Sequence, residues 1–252
     1  MNNAQPERAE ILLRAEAALL LHRRLARDHF WAFCLYMDPD FFRRRPFLKT
    51  VADAFVRVDQ SFRAGQPRRL AVSLPPRAGK SYLSTLFIAW MLGNHPEESV
   101  MRNCCTSPLY NKLSYDTRDI LRGLRFHEVF PEISLKRDAQ NVDGWKIEGT
   151  RQVSYFGGGV CGSTIGFGAS MLAMTDDLYK SLEEALSDTI NEKIWEWRHG
   201  THNSRLEGAC CSIDIGTRWS SRDVLGRMEA EGLYNEIIRI PALDANDESF
   251  CP

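Results

Sequence analysis

The stretch LAVSLPPRAGKS, residues 70–81, decides the predicted fold of this chain. It ends in Gly-Lys-Ser, follows an apolar run and precedes a run with helical character. This is the setting of a phosphate-binding loop, in which backbone N–H groups and a helix N-terminus surround phosphate oxygens. The usual pattern of such a loop is GxxxxGK[ST]. Leu74 stands where that pattern has its first glycine, so the match is partial.

Apolar runs of strand length alternate with helical patterns along most of the chain. This alternation predicts an α/β fold with a mostly parallel central sheet that is covered by helices on both faces. We expect strands over residues 69–74, 99–106, 151–156, 171–175, 209–215 and 235–240. The loop and the end of the fourth strand then lie at the carboxyl edge of the sheet, where such folds bind ligands.

The segments between these strands predict four helices and two irregular regions. The helices are expected over residues 81–92, 107–124, 181–199 and 221–231. Ser107 is expected to cap the second, and Ser181 with Glu184 forms the capping-box pattern of the third. The Gly-rich segment 157–168 predicts a loop, and residues 131–149 predict loops or short strands.

The residues before the loop predict an N-terminal helical extension. An amphipathic helix is expected over 7–27, and Asp28 is expected to cap a second helix that runs to Met37. Asp38-Pro39-Asp40 predicts a turn, and Pro46 suits the first position of a third long helix. We therefore divide the chain into a helical region (1–66), a P-loop core (67–241) and the start of a linker (242–252).

The bulk composition is that of an ordinary globular chain, with 252 residues, 44% of them apolar, and a formal net charge of −1. Such a balance creates no overall basic field for nucleic acid. The Arg43-Arg44-Arg45 cluster is therefore either a solvated surface, which we favour, or a local contact. The seven cysteines show no CxxC spacing and indicate buried, reduced thiols. His199 and His202 do not complete a zinc-site pattern.

A second motif, residues 172–177, ends an apolar run with two carboxylates. Such a strand can bury its apolar side chains and hold Mg²⁺ at its tip, the role we expect for Asp176. Asp177 is expected to orient an attacking water. In the loop, Lys80 would reach the β- and γ-phosphates and Ser81 would contribute its hydroxyl to Mg²⁺. The alternative is that the two aspartates only begin a capping turn.

The predicted strand 99–106 lies between the two motifs, which favours the additional-strand class of P-loop ATPases. Thr217, in Thr217-Arg218-Trp219, follows the strand after the second motif. A polar residue at that place can sense the γ-phosphate and couple hydrolysis to motion. A plain strand-to-helix turn remains the alternative for this segment.

These motifs together resemble the ATPase domain of phage large terminase subunits, the motors that pump double-stranded DNA into proheads. In that family the loop often reads PPRxGKS, as residues 75–81 do here, and the second motif often ends in Asp-Asp. Three further segments are similar to motifs of the family: the Gly-rich segment 163–168, the Ala-x-Ser step 185–187 and the Gly-Thr-Arg-Trp of 216–219. The similarity extends over residues 45–242.

The resemblance implies ATP and Mg²⁺ as cofactors and a nucleotide-binding role for six consecutive loop residues and for Thr217. Arg77 resembles the loop arginine of the family, which contacts phosphate or relays the nucleotide state. The loop residues are Pro76, Arg77, Ala78, Gly79, Lys80 and Ser81, of which Arg77 and Lys80 join Asp177 as the catalytic candidates.

The resemblance also implies an arginine finger, which a neighbouring subunit supplies to the site. In the family this arginine commonly lies near the Gly-rich segment. The variable position of that segment is Phe167 here and not an arginine, so Arg151 is the candidate. Arg45, Pro46 and Phe47 are the nearest matches to the adenine pocket. The expected partners are double-stranded DNA, the portal protein, the small terminase subunit and further copies in a ring, with no membrane. The expected setting is the host cell cytoplasm, and no nuclease activity is expected of these residues.

Two other functions are compatible with the motifs. One is a helicase-like remodelling ATPase, which should carry further nucleic-acid motifs and a second RecA-like domain. The other is a nucleotide-gated assembly module, in which ATP binding drives oligomer formation without hydrolysis.

Overall fold

An eight-stranded sheet forms the centre of the described part of the chain, residues 4–142, 144–162 and 166–242 of the computed structural model. The strand order is β3-β4-β5-β2-β6-β7-β1-β8. The six strands from β5 to β8 are mutually parallel, and β3 and β4 add antiparallel pairs at one edge. The strands are β1 (Arg69–Ser73), β2 (Val100–Cys104), β3 (Leu135–Asn141), β4 (Gly144–Ile147), β5 (Tyr155–Gly159), β6 (Leu172–Asp176), β7 (Cys211–Gly216) and β8 (Glu236–Arg239). The expected α/β architecture with a mostly parallel sheet is confirmed.

Helices connect the strands and precede the first of them. They are α1 (Ala4–Asp28), α2 (Phe30–Met37), α3 (Pro39–Arg43), α4 (Leu48–Arg63), α5 (Lys80–Asn94), α6 (Ser107–Arg122), α7 (Leu124–Val129), α8 (Leu182–Leu186), α9 (Asp188–Trp197) and α10 (Val224–Ala230). Within the described ranges, no helix combines the length and the apolar composition needed to cross a bilayer.

Both faces of the sheet are covered, as neighbouring residues of β2 show. The side chain of Arg102 contacts Ser84 and Thr85 on α5. The next residue, Asn103, points to the other face and contacts His202, in the π-helical turn that follows α9. Strands β2, β6 and β7 are buried along their whole length, as expected of central strands in a sheet that is covered on both faces.

The N-terminal helices share the main hydrophobic core with the sheet. The ring of Phe87, on α5, lies 5.0 Å from that of Phe30 on α2 and 4.7 Å from that of Phe55 on α4. Trp90 on α5 donates its indole N–H to the carbonyl of Ala26 at 3.1 Å. Residues of the N-terminal helical region therefore pack directly on α5, which belongs to the predicted core.

The strand order corrects one expectation. The strand between β1 and β6 in the sheet is β7, whereas the predicted strand 99–106 became β2 and lies on the far side of β6. The order of the strands along the chain does not determine their order in the sheet. The connection from β1 to β2 crosses two strand positions, which β6 and β7 occupy. The motif strands β1 and β6 thus both flank β7.

The predicted loop 157–168 was wrong at its start, because Gly157–Gly159 extend β5, which begins at Tyr155 rather than at residue 151. A Cβ on Gly157 would lie 1.7 Å from the carbonyl oxygen of Arg102, so glycine is required where β5 passes β2. The predicted Ser163-Thr164-Ile165 part of this segment lies outside the described residues.

Several predicted helix boundaries were also wrong, because other side chains cap the backbone. The predicted turn at Asp38 starts α3, where Asp38 accepts from the N–H of Phe41. Thr106, not Ser107, caps α6. Ser181 does cap its helix, but Ser187 accepts from the N–H of Ile190 and divides the predicted 181–199 helix into α8 and α9.

Three further helix starts differ by a few residues. Helix α2 has His29 as its N-cap, without a capping side chain, in place of Asp28. Helix α4 starts at Leu48, two residues after Pro46. Helix α10 starts at Val224, where Asp223 accepts from the N–H of Gly226.

We predict that folding stability falls below pH 6.5 because His202 is fully buried and neutral. Burial, reinforced by Arg198, lowers its pKa well below the ordinary value, while the unfolded chain binds the proton near pH 6.5. The unfolded state then holds more protons as pH falls, and the free energy of unfolding drops by up to about 1.4 kcal/mol per pH unit.

Urea unfolding between pH 5 and pH 7.5 measures this slope for the wild type, His202→Gln and His199→Gln. The first variant should flatten the slope, and the second, whose ring is exposed on the same turn, should keep it. Equal slopes in all three proteins would exclude His202 as the cause.

Candidate functional site

The quoted loop connects β1 to α5 at the carboxyl edge of the sheet. Helix α5 begins at Lys80, and Gly79 precedes it with φ of 98°, a left-handed conformation that favours glycine. Arg77 also has a positive φ, of 65°. The first N–H groups of a helix have no intrahelical acceptor, so α5 presents such donors beside the loop. The predicted strand–loop–helix setting is therefore present.

Aromatic side chains of α3 support the loop from one side. A Cβ on Gly79 would lie 2.7 Å from Cζ of Phe41, so the ring occupies the space that a larger residue would need. The guanidinium of Arg45 lies 4.1 Å from the centre of the same ring, and Tyr82 packs on it edge-on. Arg45, a predicted adenine contact, is thus close to the loop.

The side chain of Lys80 lies where the carboxyl ends of β1, β6 and β7 come together. Its Nζ lies 3.0 Å from Oδ2 of Asp177, which follows β6, and donates to Oγ1 of Thr217, which follows β7, at 3.2 Å. The side chain is only 8% exposed. The structure therefore brings together Lys80, Asp177 and Thr217, which the sequence placed on three separate segments.

Asp177 is held on both sides of its carboxylate. Oδ1 accepts the backbone N–H of Thr217 at 3.0 Å, while Oδ2 faces Lys80. Its backbone has φ of 49°, which is uncommon for a residue other than glycine. Burial raises the pKa of this carboxyl group above its ordinary value, and the nearby Lys80 opposes that shift. A raised pKa brings a carboxylate closer to the range useful in proton transfer.

Asp176 is fully buried at the tip of β6 and contacts the start of α5. Oδ1 accepts the hydroxyl of Ser81 at 3.2 Å, and Oδ2 accepts that of Ser84 at 3.4 Å. The guanidinium of Arg102 also donates to Oδ2. Ser81 and Asp176, the two predicted Mg²⁺ ligands, are therefore in direct contact.

The other predicted site residues have different environments. Ala78 is buried, while Pro76 and Arg77 are exposed in the loop. Arg151 precedes β5 and so lies at the amino edge of the sheet, opposite the loop, where its carbonyl accepts from Lys146. The structure does not bring Arg151 to the Lys80 site of its own chain.

A cavity of about 400 Å³ adjoins the site between the ends of β7, β1 and β8. It shares Thr217 with the Lys80 contact, and its other walls are largely apolar. They include Leu74, Pro75, Ile240 and Pro241, with Arg218 and Arg239 at the polar side.

Sequence reasoning missed Arg102 and Ser84, which contact Asp176 beneath the site. The signal was the charged residue Arg102 inside a predicted buried strand, where a charge needs a buried partner. A second buried pair was missed on the opposite face, where Arg198 lies 3.0 Å from Asp214 of β7.

Comparison of the sequence with protein-family models gives no match, and comparison with curated proteins gives none either.

We predict that Gly79→Ala destabilises the protein more than Gly149→Ala. Both glycines have a positive φ, so each alanine pays about 1–2 kcal/mol of backbone strain. Only at position 79 must the alanine also displace Phe41, because Gly149 has open space around it. Overpacking of this kind costs about 1–3 kcal/mol more. Equal losses in urea unfolding would show that Phe41 does not restrict this position.

Proposed function

We propose that this chain is a P-loop ATPase domain of the additional-strand class that binds ATP with Mg²⁺ and hydrolyses it. The observation that supports this most is the convergence of Lys80, Asp176, Asp177 and Thr217 at the N-terminus of α5. The position of β7 between β1 and β6 also supports the additional-strand class.

The donor chemistry of Ser81 and Asp176 fits Mg²⁺, which prefers oxygen ligands and keeps several waters and phosphate oxygens. Among the described residues no group of three or more histidine, cysteine, aspartate or glutamate side chains forms a complete metal cage. Magnesium at nucleotide sites is usually held by one or two protein groups together with phosphate oxygens. When bound, the ion would neutralise charge on the β- and γ-phosphate oxygens.

Lys80, Asp177 and Thr217 would act on the phosphates and on the attacking water. The ammonium of Lys80 has three donors, and its two contacts with Asp177 and Thr217 leave capacity for a phosphate oxygen. Asp177 would orient the attacking water with a carboxylate that the N–H of Thr217 holds in place. Because Thr217 contacts both Lys80 and Asp177, it would transmit the occupancy of the site to β7.

We further propose that the hydrolysis drives DNA packaging, as the resemblance to large terminase subunits suggests. The partners would be double-stranded DNA, the portal protein, the small terminase subunit and other copies in a ring, in the host cell cytoplasm. With a net charge of −1, the lone domain should bind DNA weakly. A finger from Arg151 would have to act on a neighbouring copy, since it lies at the opposite edge of the sheet from its own site.

We predict that Lys80→Ala weakens ATP binding at least 10-fold and abolishes turnover, because it removes the cation that faces the phosphates. Lys49→Ala is the control, since Lys49 pairs with Asp53 on the exposed face of α4 at 2.7 Å. Calorimetric titration with ATP measures binding in the two variants. If both bind ATP as the wild type does, the nucleotide does not occupy this loop.

We predict that turnover per chain rises with protein concentration, because a neighbour supplies the arginine. Lys80→Ala chains lack a working site but keep Arg151, so adding them to dilute wild type should stimulate its turnover. Chains that also carry Arg151→Ala should stimulate less. Fast turnover at every concentration would contradict a finger in trans. ATP binding without turnover, even in the assembled state, would favour the nucleotide-gated assembly module.

A further inference from the structure

Arg102 is a fully buried cation in the middle of β2, behind the candidate metal site. The register pairs Cys104 with Asp176, so Arg102 lies two residues earlier on the same face of the sheet. Its side chain runs beneath the first turns of α5 toward Asp176. It is thus part of the sheet interior and has no exposed surface.

Four hydrogen bonds of the guanidinium go to groups around the carboxylate of Asp176. It donates to Oδ2 of Asp176, to the hydroxyl of Ser84 at 2.8 Å and to that of Thr85 at 2.9 Å. A longer contact of 3.4 Å reaches the carbonyl of Ser81. A planar group with several donors in fixed directions can hold these acceptors in one arrangement, which a lysine cannot.

The two oxygens of Asp176 therefore have separate environments. Oδ2 faces the sheet interior and accepts from Arg102 and Ser84. Oδ1 faces the loop and contacts the hydroxyl of Ser81 at 3.2 Å. Because Arg102 also reaches the carbonyl of Ser81, it contacts both residues that would hold the metal.

We propose that Arg102 is a positioning residue for the Mg²⁺ site, an inference that rests on the proposed function. It occupies Oδ2 and fixes the plane of the carboxylate, so that Oδ1 is the oxygen presented to the metal beside Ser81. Partners that orient metal ligands in this way usually account for 10–100-fold of metal affinity.

A fold requirement alone does not explain this pair, because buried ion pairs can often be replaced by apolar side chains without loss of stability. The pair of Arg198 and Asp214 offers the comparison within the same sheet. It is equally buried, at 1% exposure for each side chain, but it lies on the opposite face and contacts neither Ser81 nor Asp176.

The experiment compares Arg102→Met with Arg198→Met by Mn²⁺ titration in the presence of a saturating, non-hydrolysable ATP analogue. Mn²⁺ takes the same oxygen ligands as Mg²⁺ and is detected by electron paramagnetic resonance. Arg102→Met should weaken Mn²⁺ binding 10–100-fold and change metal-free binding of the analogue less than 3-fold. Arg198→Met should leave both affinities unchanged although it removes a cation of equal burial.

Arg102→Lys provides the second test if the methionine variant fails to fold, since it keeps a cation opposite Asp176 and so avoids an uncompensated buried carboxylate. The donors of an ammonium rotate about one point on a flexible side chain and do not fix the plane of the carboxylate, so Mn²⁺ binding should still weaken several-fold. Unchanged Mn²⁺ affinity in the folded Arg102 variants would overturn the inference. A wild type that binds no analogue at all would instead refute the proposed function.

Discussion

The contact between the ammonium of Lys80 and the ends of β6 and β7 is the interaction on which the site depends. It joins Asp177 and Thr217 to the first residue of α5. Three segments that are distant in sequence, the ends of β6 and β7 and the start of α5, therefore meet at one ammonium group. The site is nearly closed around this ammonium. Any anion that binds must therefore compete with, or add to, an existing carboxylate contact.

Beneath this contact, the sheet interior contains two buried ion pairs, one on each face. Arg102 pairs with Asp176 under α5, and Arg198 pairs with Asp214 under the turn after α9. Removing one partner of a buried pair costs about 3–5 kcal/mol, because the other charge is left without compensation. The pair of Arg102 with Asp176 therefore stabilises the alignment of β2 and β6 that brings Asp176 to Ser81, whereas the pair of Arg198 with Asp214 joins β7 to the turn after α9.

The sequence was sufficient to predict the fold class and the ends of the strands that carry the site. Lys80 and Asp176 follow apolar runs, and the rule that ligands bind at the carboxyl edge of a parallel sheet brings them together. The place of β7 between them could not be predicted, because sequence order does not determine strand order. Arg102 was missed for a related reason: its partner lies on another strand, and only the register makes them neighbours.

Phe41 packs against Gly79, so α3 of the N-terminal region is in direct contact with the loop. The ring of Phe41 lies against Gly79, the residue that precedes α5, and it packs edge-on against the rings of Phe42 and Tyr82. A displacement of Gly79 toward α3 would have to displace this aromatic cluster. The conformation of the loop is therefore coupled, through Phe41, to the packing of α3.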